Sequence, residues 1–183
     1  MAVIHAGKEN TASTLKVAFA FAAQRNISTV VVASTFGATG LEAARLGQTF
    51  GRRVLVVTHN VGFNTPGELE LTADARAAIE SLGAKVVTGT MVLRGIGSAF
   101  RKKFGASDEE VTASVLRMFG QGMKVCVEMG AMVSDVGLVA DEDIVCVAGT
   151  ARGADTAVLL KPASANRFFD MQVKHVIVKP EQF

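Results

Sequence analysis

The run Thr29-Val30-Val31-Val32-Ala33 passes directly into Ser34-Thr35-Phe36-Gly37-Ala38-Thr39-Gly40 and then into Leu41-Glu42-Ala43-Ala44-Arg45-Leu46. The apolar, β-branched run predicts a buried strand, the hydroxyl- and glycine-rich stretch a turn, and the apolar residues that follow at helical spacing a helix. Such a turn gathers backbone N–H groups at the positive end of a helix dipole. With the Ser34, Thr35 and Thr39 hydroxyls beside them, it can hold a phosphate without a lysine. In a plainer reading Thr39 caps the helix and Gly37 and Gly40 serve the turn. These residues alone leave both readings open.

The unit is embedded in an alternating pattern. Asn10 or Thr11 can cap a first helix whose Leu15, Ala18, Phe19, Ala22 and Ala23 recur at helical spacing and which ends at Asn26. After the 29–33 strand come a helix over 40–50 stopped at Gly51, a strand at Val54-Leu55-Val56-Val57, a helix over about 72–82 stopped at Gly83, and a strand at Lys85-Val86-Val87. Strands alternating with helices imply parallel pairing, right-handed crossovers and helices on both sheet faces.

The glycine-rich stretch 88–98 reads as a loop, of a length that usually serves a site, leading to a short helix near 98–104. Ser107 or Asp108 caps a helix over 109–119 with an apolar stripe of Val111, Val115, Leu116 and Phe119. Segment 121–138 has strand-like composition at Lys124-Val125-Cys126-Val127. Its Val125, Met129, Met132, Val133 and Val136 keep a helical period, and we read it as helix. Strands Ile144–Ala148 and Val158–Leu160 flank a second glycine turn, Gly149–Ala157, only long enough to fold back, so this pair is antiparallel. Ser164 or Asn166 starts a short helix, and His175-Val176-Ile177-Val178 closes the sheet.

At 183 residues, 49% of them apolar, the chain can close the core of one domain, 1–183. The apolar excess suits a doubly covered sheet and also a subunit interface, so a homo-oligomer is expected. The 19 basic and 17 acidic residues are spread along the chain, with no basic block beyond Arg101-Lys102-Lys103 and no aromatic interleaving, which does not indicate nucleic-acid binding. Cys126 and Cys146 suit neither a redox pair nor a zinc ribbon, and the three histidines are scattered, so no metal is expected. Met1–His5 has no leader pattern, and no apolar run approaches the ~20 residues of a membrane helix; the expected location is the cytoplasm, with no membrane partner.

Four blocks in order, Ala33–Gly40, Thr58-His59-Asn60-Val61-Gly62-Phe63, Leu116–Glu128 and Gly153-Ala154-Asp155-Thr156-Ala157, resemble a small prokaryotic family of stand-alone proteins built like the C-terminal α/β domain of pyruvate kinase. The resemblance covers nearly the whole chain. It implies a three-layer α/β/α domain with a mostly parallel sheet and one antiparallel strand. In pyruvate kinase the equivalent of the first turn holds a phosphate of the sugar-bisphosphate effector, and catalysis resides in a separate barrel for which this chain has no room. No pyruvate kinase activity is therefore expected. Members of the stand-alone family are similar to binders of flavin mononucleotide (FMN). The sequence departs from the family pattern at Thr88-Gly89-Thr90-Met91, where relatives place a histidine after the first threonine.

The carboxyl ends of parallel strands open onto the crevice where such sheets bind ligands. The candidate set for a phosphorylated small molecule, FMN or a similar ligand, is Ser34, Thr35, Phe36, Gly37, Ala38, Thr39, Gly40, Thr58, His59, Gly62, Phe63, Gly149, Thr150, Gly153, Asp155 and Thr156. His59 either serves the ligand as hydrogen-bond donor or acid or caps its own loop, with no cysteine, carboxylate or second histidine close by in sequence. Phe63 either stacks on a ligand ring or anchors its loop. Asp155 accepts from a ligand or from the N–H groups of its own turn. Glu128 and Asp135, seven residues apart on one helical face, form either an acid–base pair or two solvated or salt-bridged acids. The functions that follow are a cytoplasmic ligand-binding domain, a flavin-dependent or phosphometabolite-acting enzyme, or a ligand-controlled regulatory subunit.

Overall fold

A computed structural model of the chain describes residues 3–183; of the N-terminal stretch Met1–His5, the first two residues lie outside the described residues. In chain order the elements are β1 (Val3–His5), α1 (Thr11–Gln24), β2 (Thr29–Ala33), α2 (Ala38–Phe50), β3 (Arg53–Val57), α3 (Ala73–Glu80), β4 (Lys85–Val87), α4 (Gly95–Phe104), α5 (Asp108–Arg117), α6 (Gln121–Asp135), β5 (Ile144–Ala148), β6 (Thr156–Lys161), β7 (Gln172–Val178) and β8 (Pro180–Gln182). Short 3₁₀ turns cover Lys8–Asn10 and Ala165–Asp170.

The main sheet has six strands in the order β4-β3-β2-β5-β6-β7. Strands β4, β3, β2 and β5 are parallel, and β6 is antiparallel to both its neighbours, β5 and β7. The fold is thus the expected three-layer α/β/α arrangement with a mostly parallel sheet, and β6 is the one strand that runs against the rest. A separate parallel pair, β1 with β8, ties the two ends of the chain together and has no counterpart in the sequence reading.

Alternate residues of β2 enter opposite cores. Val30 and Val32 join Leu15 and Phe19 of α1, Ala43 and Ala44 of α2 and Ile79 of α3, whereas Val31 joins Met129 and Val133 of α6. Helix α5 packs on α6, and α4 on α5, outboard of the sheet. This reverses the expectation for α5: Val111, Val115 and Phe119 of the predicted stripe face solvent, Leu116 is partly buried, and Ala113 is the buried residue of the helix. Periodicity identified the apolar face of α5 but not what lies against it.

The caps also differ in detail. Ser107 caps α5 through its hydroxyl, as expected. Asn10 and Thr11 cap nothing with an acceptor oxygen; both donate backward, Asn10 to the His5 and Gly7 carbonyls and Thr11 to Lys8. Helix α2 starts from Gly37 in the left-handed region at φ 99°, and the Ser34 hydroxyl accepts the Gly40 N–H at 3.0 Å, so Ser34 rather than Thr39 supports the helix start.

Close helix-to-sheet approach relies on absent side chains. A Cβ on Gly122 of α6 would fall 2.3 Å from Thr156 Oγ1 and 2.5 Å from its Cβ, and one on Gly130 would fall 2.4 Å from Leu160 Cδ2. Thr156 is β-branched, buried and fixed in β6, so it has no room to yield. Gly122→Ala is therefore expected to destabilise the fold by about 1–3 kcal/mol despite its better helix propensity, read as a lower denaturant midpoint at unchanged slope.

Candidate functional site

The carboxyl ends of β2, β3, β4 and β5 share one edge because these strands are parallel. The N-terminus of α2 follows directly from β2, and that of α6 meets the same edge where Gly122 packs against Asp155 and Thr156. The order of strands reverses between β2 and β5, which places the topological switch point beside the Ser34 turn.

Within this turn Ser34 N–H donates to Val57 O at 2.9 Å and Leu41 N–H to Gly37 O at 2.8 Å, while Gly40 N–H goes to the Ser34 hydroxyl. The N–H groups of Thr35, Phe36, Gly37, Ala38 and Thr39, between these, donate to no acceptor among the described residues. Five consecutive free donors at a helix N-terminus are an arrangement able to accept an anion. Gly37 is required here: its φ is positive, and a Cβ would lie 2.9 Å from Ala75 Cβ of α3.

A cavity of about 100 Å³ opens between this turn, the β3 and β4 ends and the first turns of α6. Of the predicted residues it is lined by Ser34, Thr35, Thr58, His59 and Phe63. Phe36, Gly37, Ala38, Thr39, Gly40 and Gly62 are not in its wall, although the turn itself borders it. The second turn, Gly149, Thr150, Gly153, Asp155 and Thr156, is also outside it. That turn lies beside the first one, with the Arg152 guanidinium 5.8 Å from the centre of the Phe36 ring.

The Asp155 carboxylate is fully buried and engaged by protein. It accepts Thr150 N–H at 3.0 Å, Gly7 N–H at 3.3 Å and the Thr156 hydroxyl at 2.7 Å. Next to it, Ala154 N–H donates to Thr11 Oγ1 at 3.0 Å. Asp155 thus fastens the second turn to the segment leading into α1, a partner 148 residues away in the chain that local reading could not supply.

His59 does have a carboxylate. Glu70 folds back so that its Oε2 lies 2.8 Å from Nδ1, and Asn64 bonds the other oxygen of Glu70. The His59 ring also stacks on Phe63 with centroids 3.8 Å apart, and the Arg94 guanidinium sits 4.4 Å from the Phe63 centroid. Phe63 is therefore already occupied by two protein partners. Thr58 and Thr88 share a hydroxyl–hydroxyl bond of 2.8 Å, and Arg76 donates to Thr88 at 3.1 Å, which ties the β3 and β4 ends to α3.

The largest departure from expectation is on α6. Glu128 and Asp135 form no pair: Asp135 is exposed and accepts Ala165 N–H at 2.7 Å, whereas Glu128 is buried and bonded to the buried Lys124. The second oxygen of Glu128 accepts Leu93 N–H at 2.8 Å, so one carboxylate holds both the lysine and the β4–α4 loop. Burial pulls the Lys124 amine below its ordinary value, opposed by the attraction and hydrogen bond of Glu128 and aided by the Arg117 and Arg94 charges. Lys124, Arg94 and Arg117 all line the cavity, facing the single carboxylate of Glu128 there. None was singled out from sequence. The available signal was a Lys-x-x-x-Glu pair inside a largely apolar helix, where an exposed i,i+4 pair has no place.

No family model matches the chain. Among solved structures it is similar over part of its length to a hydrogen sulfide-producing enzyme from Fusobacterium nucleatum, at 18% identity over 53% of this chain and 29% of that one, TM-score 0.34. It is likewise similar to O-ureido-L-serine synthase, at 17% identity over 69% and 48%, TM-score 0.34, and to a methyltransferase from Podospora anserina, at 10% identity over 78% and 63%, TM-score 0.32. The chain spans less than two thirds of each of these proteins. Likenesses of this strength bear on neither family nor function.

Two stability outcomes follow from the buried carboxylates. Asp155→Asn places an amide where N–H donors converge and is expected to cost about 1–3 kcal/mol, seen as earlier thermal melting of the ligand-free protein. Glu128→Ala strands a buried ammonium and an unpaired Leu93 N–H, and is expected to cost about 3–5 kcal/mol. The double change Lys124→Met with Glu128→Leu should recover most of that loss in the same denaturation measurement.

Proposed function

We propose that the chain is a binding domain for a phosphorylated small ligand, a stand-alone relative of the pyruvate kinase C-terminal domain without phosphoryl transfer of its own, and that FMN is the ligand its resemblance implies. The observation that carries this reading is the run of free N–H groups from Thr35 to Thr39 at the start of α2. Three cationic side chains in the wall of the adjoining cavity support it.

The phosphate end of FMN suits this donor set. The enclosed space, about 100 Å³, is smaller than the roughly 300–1,000 Å³ of sites that engulf a drug-sized ligand. A whole FMN does not fit inside it, so on this reading the phosphate sits on the N–H run of the turn, of which Thr35 reaches the cavity wall, and the flavin ring lies outside the cavity or displaces the His59–Phe63 stack. Among the described residues no helix is long and apolar enough to cross a membrane. Both cysteines are free and buried, which suits a reducing compartment and supports a cytoplasmic location.

Ala38 is exposed on the first turn of α2, so its replacement separates binding from folding. Ala38→Glu adds a negative charge that suits the helix dipole and repels a phosphate. Melting temperature should hold or rise while FMN affinity, read by flavin fluorescence quenching, falls about tenfold to a hundredfold. Riboflavin should bind the unaltered protein more weakly than FMN by a similar factor. Equal affinities for the two, or an Ala38→Glu protein that binds FMN normally, would place the phosphate elsewhere and overturn the reading.

A further inference from the structure

Helices α4 and α5 carry a large apolar surface that no described part of the chain covers. Ile96, Phe100 and Phe104 follow one another at four-residue steps on α4, and Val111, Val115 and Met118 at helical spacing on α5; each of the six is between 47% and 74% exposed. With Phe119 beside them, the exposed area is on the order of 700 Å². Summed over the two helices, this comes close to the ~800 Å² each partner contributes to a standard interface.

The charges around this surface select its occupant. Helix α4 ends in Arg101, Lys102 and Lys103, and α5 begins with Asp108, Glu109 and Glu110, on the two sides of the turn at Gly105. The three basic side chains make no ion pair among the described residues. Glu110 already holds Arg117 at 3.0 Å and the Glu109 carboxylate lies back against Gly97 of α4, which leaves Asp108 to meet an outside charge. A two-fold axis lying in this face and running between the clusters sets the basic end of one copy opposite the acidic start of the other, on both sides at once. An anionic lipid surface or a nucleic acid would be drawn by the basic cluster and repelled by its acidic neighbour.

We propose that the α4–α5 face is the isologous interface of a homodimer of this chain. The assignment rests on this surface alone and is independent of the ligand reading. Arg94 at the start of α4 and Arg117 at the end of α5 also line the cavity, so the dimer would buttress the helix pair that supplies those charges.

Sedimentation velocity on the full chain at micromolar concentration should give the mass of a dimer. Phe104→Glu with Met118→Glu should give a monomer with the same far-UV circular dichroism, because both residues are exposed. Should that variant fail to fold, a single cysteine serves instead. Cys126 and Cys146 are fully buried, so Ala106→Cys, in the turn beside the expected axis, offers the one reactive thiol among the described residues. A short bis-maleimide should then join two chains. A monomeric unaltered protein, a dimer that survives the double substitution, or cross-linking through Val176→Cys on the edge strand β7 in place of Ala106→Cys would overturn the proposal. Vesicle binding by a chain that remains monomeric would equally do so, assigning the face to a membrane surface.

Discussion

Strand β2 has no solvent-facing side: Val30, Val31 and Val32 are all fully buried, with β3 paired along one edge and β5 along the other. Each valine contributes about 1.5–3 kcal/mol only if the face it points to is covered. The fold therefore needs two separate covers. Helices α1, α2 and α3 supply one, and α6 supplies the other after the chain has passed through β3 and β4 and returned to the far side of β2. That return fixes the switch point at the carboxyl end of β2, so the location of the candidate site is a consequence of how the central strand is buried.

Covering the sheet closely depends on small residues facing it, with Gly122 and Gly130 of α6 against Thr156 and Leu160 and Gly47 of α2 against Val54. The same approach brings the positive ends of α2 and α6 to one edge and adds Lys124 to the wall of the cavity. Glu128 offsets that charge within the protein, and by also bonding Leu93 N–H it fixes the loop that carries Arg94. Electrostatics and loop position are thus coupled through one side chain. Removing it would disturb the fold before it informed about binding.

Helices α4 and α5 are a product of the long passage from β4 to β5. Helix α6 alone covers the second face over β2, β5 and β6, and the two preceding helices stack outward from it, with solvent on the side an interior helix would bury. Seven of the fourteen exposed large apolar side chains among the described residues lie there, on the face proposed above as a homodimer interface.

The sequence by itself determined the elements and much of their order. Short continuous apolar runs marked the strands at 29–33, 54–57, 85–87 and 144–148, a helical recurrence identified α6 despite its strand-like composition, and a turn too short for a crossover required β6 to run against β5. These are local properties, set by side-chain spacing and chain reach. The tertiary structure decided which groups meet. Glu70 against His59, Gly7 against Asp155, Lys124 buried with Glu128, β1 paired with β8, and the outward face of α5 all depend on where separate segments come to rest. A periodic pattern records which side of an element is apolar or charged, but the partner on that side is chosen by packing among elements distant in the chain.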